Sequence, residues 1–158
     1  AGAAASDRRR RSRTAGQALM PTGTLTVDTR GPGLTEITPR VADWLDGQDA
    51  GEGLLTLFVR HTSASLLIQE NADPDVRADL EAWMTRFAPR ADAEGMGWIT
   101  HRLEGPDDMP AHIRAAHLPV SLSVPVIGGR MALGRWQGVY LFEHRDRPHR
   151  REIVLHFA

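Results

Sequence analysis

The sequence predicts an α+β protein: one compact domain with largely antiparallel β-sheets and two or three short helices. Three observations carry this prediction. Stretches with strand character outnumber helical ones, and most are joined by short turns. The 158 residues are the length of a single domain able to bury one core. The composition, 41% hydrophobic and 25% charged, is that of an ordinary globular chain. The longest apolar runs are far too short to span a bilayer.

The elements follow in order. Residues 1–19 are Ala, Arg, Ser and Gly without apolar periodicity, and read as a disordered Arg-rich tail or as sequence ahead of a mis-assigned start. No apolar stretch follows the Arg run, so it is no secretory signal, and a cytoplasmic protein is expected. Met20-Pro21 opens the domain, which covers residues 20–158. Thr22 to Asp28 alternates Thr and Val and reads as a strand, and Gly31-Pro-Gly33 is a turn. Thr38-Pro39 caps a short helix with Val41, Trp44 and Leu45 at helical spacing. Leu54 to Val59 is a continuous apolar run suited to a central strand, and His61 to Gln69 continues as extended chain. Asp73 and Pro74 open a second helix as N-cap and first residue. Its apolar stripe is Val76, Leu80, Trp83, Met84 and Phe87, and Pro89 ends it. A short helix is predicted over Pro110 to His117, just after Asp107-Asp108. Strands over Val120 to Val126, Gly138 to His144 and Glu152 to Phe157 complete the chain.

Several chemistries are excluded. There is no Cys, hence no disulfide, thiolate metal site, iron–sulfur cluster or cysteine nucleophile. All 19 basic residues are Arg, which excludes Schiff-base and P-loop lysines. Five Arg face one acid in residues 1–20, whereas 14 Arg face 19 acids in the remainder. The domain is mildly acidic, which argues against a nucleic-acid groove.

Three segments carry candidate chemistry. In His61-Thr-Ser-Ala-Ser-Leu-Leu-Ile-Gln-Glu-Asn71, alternation places His61, Ser63, Ser65, Leu67 and Gln69 on one face and the core residues on the other. That polar face either meets a ligand or partner or is a solvent-facing strip; the pattern leaves both open. Asn71, the sole Asn of the chain, fits a turn or hydrogen-bonding duty. The stretch His101 to His112 gathers two His, one Arg and three acids, Glu104, Asp107 and Asp108. The positive end of the helix favours a neutral His112, able to ligate a metal or act as a base. Asp107 and Asp108 compete for a helix-capping role. His112 and His117 lie about 140° apart around a helix and form no ligand pair. In the third segment Gln137 and Glu143 share a strand face, and Glu143, if buried, needs an Arg or His partner. Trp136, between Gly134 and Gly138, is a ligand platform or packs at a tight turn. His117, His144, His149 and His156 fall outside the cluster, the last three at solvent-facing positions.

These segments in this order resemble the YjbQ family, also called the secondary thiamine-phosphate synthase family or UPF0047. The matching stretches are His61-Thr-Ser-Ala-Ser65 with Glu70-Asn71 and Asp73-Pro74, Glu104-Gly105 through Asp107-Asp108-Met-Pro-Ala-His112-Ile-Arg114, and Gly134 through Trp136-Gln137-Gly138 with Glu143. Leu118-Pro119 and Arg135 depart from the family pattern. The resemblance implies a homotrimer of α+β subunits with sites near subunit boundaries. It also implies a weak, secondary transferase activity that joins a pyrimidine-methyl diphosphate to a thiazole phosphate and expels diphosphate. On that reading His61, His101 and His112 form a centre that holds a divalent metal, zinc or magnesium, and no organic cofactor. Asp108 and Glu143 join it as catalytic or orienting acids. Ser63, Ser65, Asn71, Arg135, Trp136 and Gln137 bind the phosphorylated substrate. The other reading is a non-catalytic trimeric module that binds a metal or small anion.

Overall fold

The computed structural model describes residues 20–158; the predicted Arg-rich tail lies outside them. The elements are β1 (Thr22–Asp28), β2 (Gly33–Glu36), α1 (Thr38–Asp46), β3 (Gly53–Val59), β4 (Ala64–Glu70), α2 (Pro74–Phe87), α3 (Asp108–His117), β5 (Ser121–Ile127), β6 (Arg130–Met131), β7 (Gln137–Glu143) and β8 (Arg150–Phe157). The α+β prediction holds. A five-stranded sheet runs β1-β8-β3-β5-β6 and a three-stranded sheet runs β2-β7-β4, and every pairing is antiparallel.

The two sheets enclose the core between them. Leu55, Leu57 and Val59 of β3, Val124 and Val126 of β5, and Ile153 and Leu155 of β8 form one wall. Leu66 of β4 and Val139 and Leu141 of β7 form the other. Val41 and Leu45 of α1 join the same cluster. The outer face of the smaller sheet is covered by helices. A cleft there is lined by Met84 of α2, Arg114 of α3 and Phe142 of β7.

Both faces of β7 are therefore buried, which corrects the expectation of a solvent-facing His144. His144 follows β7 at 1% exposure, beneath the helices with Phe142. β2 and β6 are absent from the sequence reading. Each is too short for an alternating pattern, and they exist by pairing with β7 and β5.

Capping differs at two helices. Asp73 caps α2 as expected, accepting from the Asp75 N–H at 2.9 Å. Thr38 is already inside α1. Its hydroxyl serves β7, accepting from the Val139 N–H at 2.8 Å. At α3, Asp107 holds the N-cap position without a capping bond, because its carboxylate is engaged by Arg145. The helix starts at Asp108, two residues earlier than its Pro suggests. Pro110 sits in the first turn, where no helical N–H is required.

Candidate metal centre and its surroundings

Starting α3 at Asp108 places Asp108 and His112 four residues apart, on one helix face. Asp108 is 2% exposed. His101 comes from the preceding loop, which Arg102 ties down with bonds to the carbonyls of Ala91, Met96 and Ile99. His101 Nε2 lies 2.7 Å from Asp108 Oδ2, and His112 Nε2 lies 3.2 Å from the same oxygen. One ligand atom from each residue falls within 4.8 Å of the others.

The tautomer of His112 is set from behind. Its Nδ1 is 3.0 Å from the Thr62 carbonyl, which can only accept, so Nδ1 carries the hydrogen. In the neutral ring Nε2 is then a bare lone pair aimed at a carboxylate oxygen. Two acceptors at 3.2 Å need a cation between them, a proton or a metal. Metal-ligating histidines are commonly oriented by a backbone carbonyl in this way. Arg145 secures the other side of Asp108. Its Nη1 bonds Oδ1, its Nε bonds Asp107 at 2.7 Å, and its Nη2 donates to the Glu104 carbonyl at 2.9 Å. Asp108 Oδ2 is thus left to the two imidazoles. Burial works to raise the Asp107 carboxyl, and the Arg145 hydrogen bond, a backbone hydrogen bond and the charges of Arg145 and Arg90 together more than reverse it, leaving it below its ordinary value. Sequence reasoning missed Arg145; its position just after the β7 acid Glu143 was the available signal.

His61 does not join this cluster within the chain, contrary to the three-histidine expectation. Its Nε2 accepts from the Glu152 N–H at 2.8 Å, and it lines a different cavity with Phe58, Val120 and Arg151. Glu143 does not orient a histidine ring; its carboxylate is taken by Arg151 and Thr29. Arg151 Nε donates to Oε2 at 2.7 Å, and the Thr29 hydroxyl donates at 2.8 Å. Glu143 faces inward from one sheet and Arg151 from the other, so the pair braces the end of the sandwich. Burial raises the Glu143 carboxyl, but the hydrogen bonds from Arg151, the Arg145 N–H and Thr29, with the Arg151 charge, together outweigh it and the net shift is downward.

Ser63 and Ser65 are not free to bind phosphate either. Ser65 is fully buried with its Oγ 2.9 Å from His144 Nε2, and Ser63 Oγ accepts from Arg151 at 3.0 Å. The polar face inferred for His61 to Gln69 is satisfied at these two positions by the protein itself. Burial, then the charge of Arg114, pushes His144 down to about 3.

Asn71, Arg135, Trp136 and Gln137 lie at the opposite end of the β4–β7 pair. Ala64 is opposite Glu143, whereas Glu70 is opposite Gln137. Six strand steps separate the two ends, roughly 20 Å. There Asn71 N–H donates to the Trp136 carbonyl at 3.0 Å, and Gln137 Oε1 accepts from Gly134 N–H at 2.8 Å. The Arg135 guanidinium lies 4.6 Å from the centre of the exposed Trp136 ring. One chain therefore does not bring these four residues to the His101–Asp108–His112 cluster.

Comparison with known proteins gives a consistent result. Residues 23–158 match the family model for UPF0047 protein YjbQ-like. A UPF0047 protein of Synechocystis is 46% identical over 134 residues, covering 85% of this chain and 88% of that protein. UPF0047 protein YjbQ of Salmonella typhimurium is 44% identical, covering 83% and 92%. Among solved structures, a hypothetical protein of Aeropyrum pernix superposes with a TM-score of 0.78 at 30% identity, covering 88% and 98%. A conserved hypothetical protein of Thermus thermophilus gives 0.71 at 38% identity, covering 84% and 97%.

Proposed function

The chain belongs to the UPF0047 YjbQ-like family, and from that premise we propose that it is a metal-dependent transferase acting on a small phosphorylated substrate. His101, Asp108 and His112 hold the metal. The observation that carries this reading is the His112 Nε2 lone pair aimed at Asp108 Oδ2, with Nδ1–H committed to Thr62 and the other Asp108 oxygen committed to Arg145. Two imidazoles and one carboxylate suit zinc or another late transition metal better than magnesium. His101 and His112 are 42% and 34% exposed in their side chains, so the centre opens to solvent on one side. A bound metal would supply Lewis-acid stabilisation of phosphate oxygens.

The chain's own groups do the rest. Arg145 and the Thr62 carbonyl hold the ligands in place. Beside them, sharing Asp107 and Arg145, is a cleft of about 740 Å³ that also carries Arg90, Arg147 and His149. Arg90 is paired with Asp146, while Arg147 forms no ion pair among the described residues. This cleft accommodates the phosphate-bearing part of the substrate, with Arg supplying the donors that Lys supplies elsewhere. The finer reading is the activity that the resemblance implies, joining a pyrimidine-methyl diphosphate to a thiazole phosphate with loss of diphosphate.

Metal analysis of the purified protein tests the centre. A stoichiometric divalent ion is expected, with a lowered melting temperature in chelator. Asp108→Asn should lose the metal and the release of diphosphate from the two thiamine precursors together. A protein with no metal and no response to chelator would sink the reading. Metal retained without turnover would leave the binding module.

A further inference from the structure

A second cavity, of about 640 Å³, is lined by Phe58, Arg60, His61, Thr62, Ser63, Val120 and Arg151, and contains none of the three metal-centre residues. Two of its lining residues carry an N–H group without a protein partner among the described residues. His61 Nε2 accepts from the Glu152 N–H, so the hydrogen of the neutral ring sits on Nδ1, which has no partner among the described residues. Burial, then the charge of Arg151, lowers the His61 pKa, so the neutral ring is the form present in neutral solution. The second donor belongs to Arg151, whose side chain is only 4% exposed. Its Nε and Nη2 are spent on Glu143 and Ser63, and Nη1 alone has no hydrogen bond among the described residues.

The nearby acids are already committed. Glu143 is held by Arg151, and Glu152 pairs with Arg60 at 3.3 Å. Phe58 and Val120, 46% and 37% exposed, form apolar walls beside this donor pair. A guanidinium nitrogen without a protein partner among the described residues yet not sealed from solvent, next to an imidazole locked as a donor, offers two N–H groups to an entering acceptor.

We propose that this cavity binds a small oxyanion carrying an apolar body, its oxygens accepting from His61 Nδ1–H and Arg151 Nη1 and its body lying against Phe58 and Val120. The occupied site is separate from the metal centre, although the two flank the same segment: Thr62 lines this cavity, and its carbonyl holds His112. The role of His61 is accordingly donation to a ligand rather than metal ligation.

Titration of the full chain with benzoate and with phenyl phosphate tests this. It is followed by the imidazole nitrogen resonances of His61, assigned by their disappearance in His61→Phe. A saturable shift of the His61 signals is expected with at least one probe, and which probe binds more tightly separates a carboxylate from a phosphate. Arg151→Lys keeps the charge beside Glu143 but lacks the fork, and should weaken the binding at least tenfold. Should that variant fold poorly, calorimetry on His61→Phe should show the same loss. His101→Ala and His112→Ala should leave the affinity unchanged. Absence of any His61 shift, or binding that survives both His61→Phe and Arg151→Lys, would overturn the proposal. Loss of binding in the His101 and His112 variants would instead place the anion at the metal centre.

Discussion

Arg145 is the residue on which the candidate centre most depends without touching the metal position. It clamps Asp107, Asp108 and the Glu104 carbonyl, joining the loop after β7 to the start of α3. Arg145→Gln should weaken metal binding by about 10–100-fold, the range for lost outer-shell partners, measured by competition with a chromophoric chelator. A smaller loss would show that helix geometry alone orients Asp108. His144 predicts a pH dependence. Its folded-state pKa, about 3, lies below the ordinary value of 6.5, so the unfolded chain binds the extra proton first. Stability falls as pH drops from 6.5 toward 3, at up to about 1.4 kcal/mol per pH unit from this one group. His61 is shifted the same way and adds to it. His144→Gln should flatten the decline in urea-unfolding free energy between about pH 6.5 and 5. Glu143 and Asp107 act only at lower pH, because their lowered pKa values cost stability once the pH falls below the ordinary carboxylate range. An unchanged slope in His144→Gln would mean that the ring is hydrated.

At the scale of elements, the Glu143–Arg151 pair decides how β7 and β8 meet across the sandwich. Glu143→Ala leaves a buried guanidinium facing Ser63 without its counter-charge, and should cost about 3–5 kcal/mol. The double variant Glu143→Leu, Arg151→Met removes both charges and should cost much less. Chemical denaturation of both variants checks this, and equal losses would show that the pair carries no mutual compensation. α2 shows how an amphipathic pattern is overread. Met84 is buried, but Trp83 and Phe87 are 54% and 40% exposed and stack on each other at 5.3 Å between centroids. The stripe was legible because the spacing is helical. Its coverage was not, because α2 rests on a sheet of only three strands, too narrow to receive the whole face.

For the whole molecule, the outer face of the five-stranded sheet carries Leu54 and Phe58, 44% and 46% exposed, beside Pro125 and Val154. A homotrimer that covers the Leu54 end of this face, leaving the cavity beside Phe58 open, is the expected assembly. Light scattering at micromolar concentration should give a trimer mass, and Leu54→Asp should shift it toward monomer; a monomeric native chain would exclude it. No helix among the described residues is long and apolar enough to cross a membrane. Local signals in the chain were sufficient for the α+β class, six strand regions, three helices and the Asp73 cap, because periodicity and capping act over a few neighbours. The family was readable too, from three linked motifs. The site was legible only in its inventory. His101 and His112 meet because α3 begins at Asp108 and a loop folds back on it. His61 departs because the Glu152 backbone claims its ring, and Ser63 and Ser65 turn inward because both faces of the smaller sheet are covered. The tertiary structure decided these pairings for a physical reason: a buried polar group must find its partner across the sheets, from residues up to 114 positions away, where no local pattern can record it.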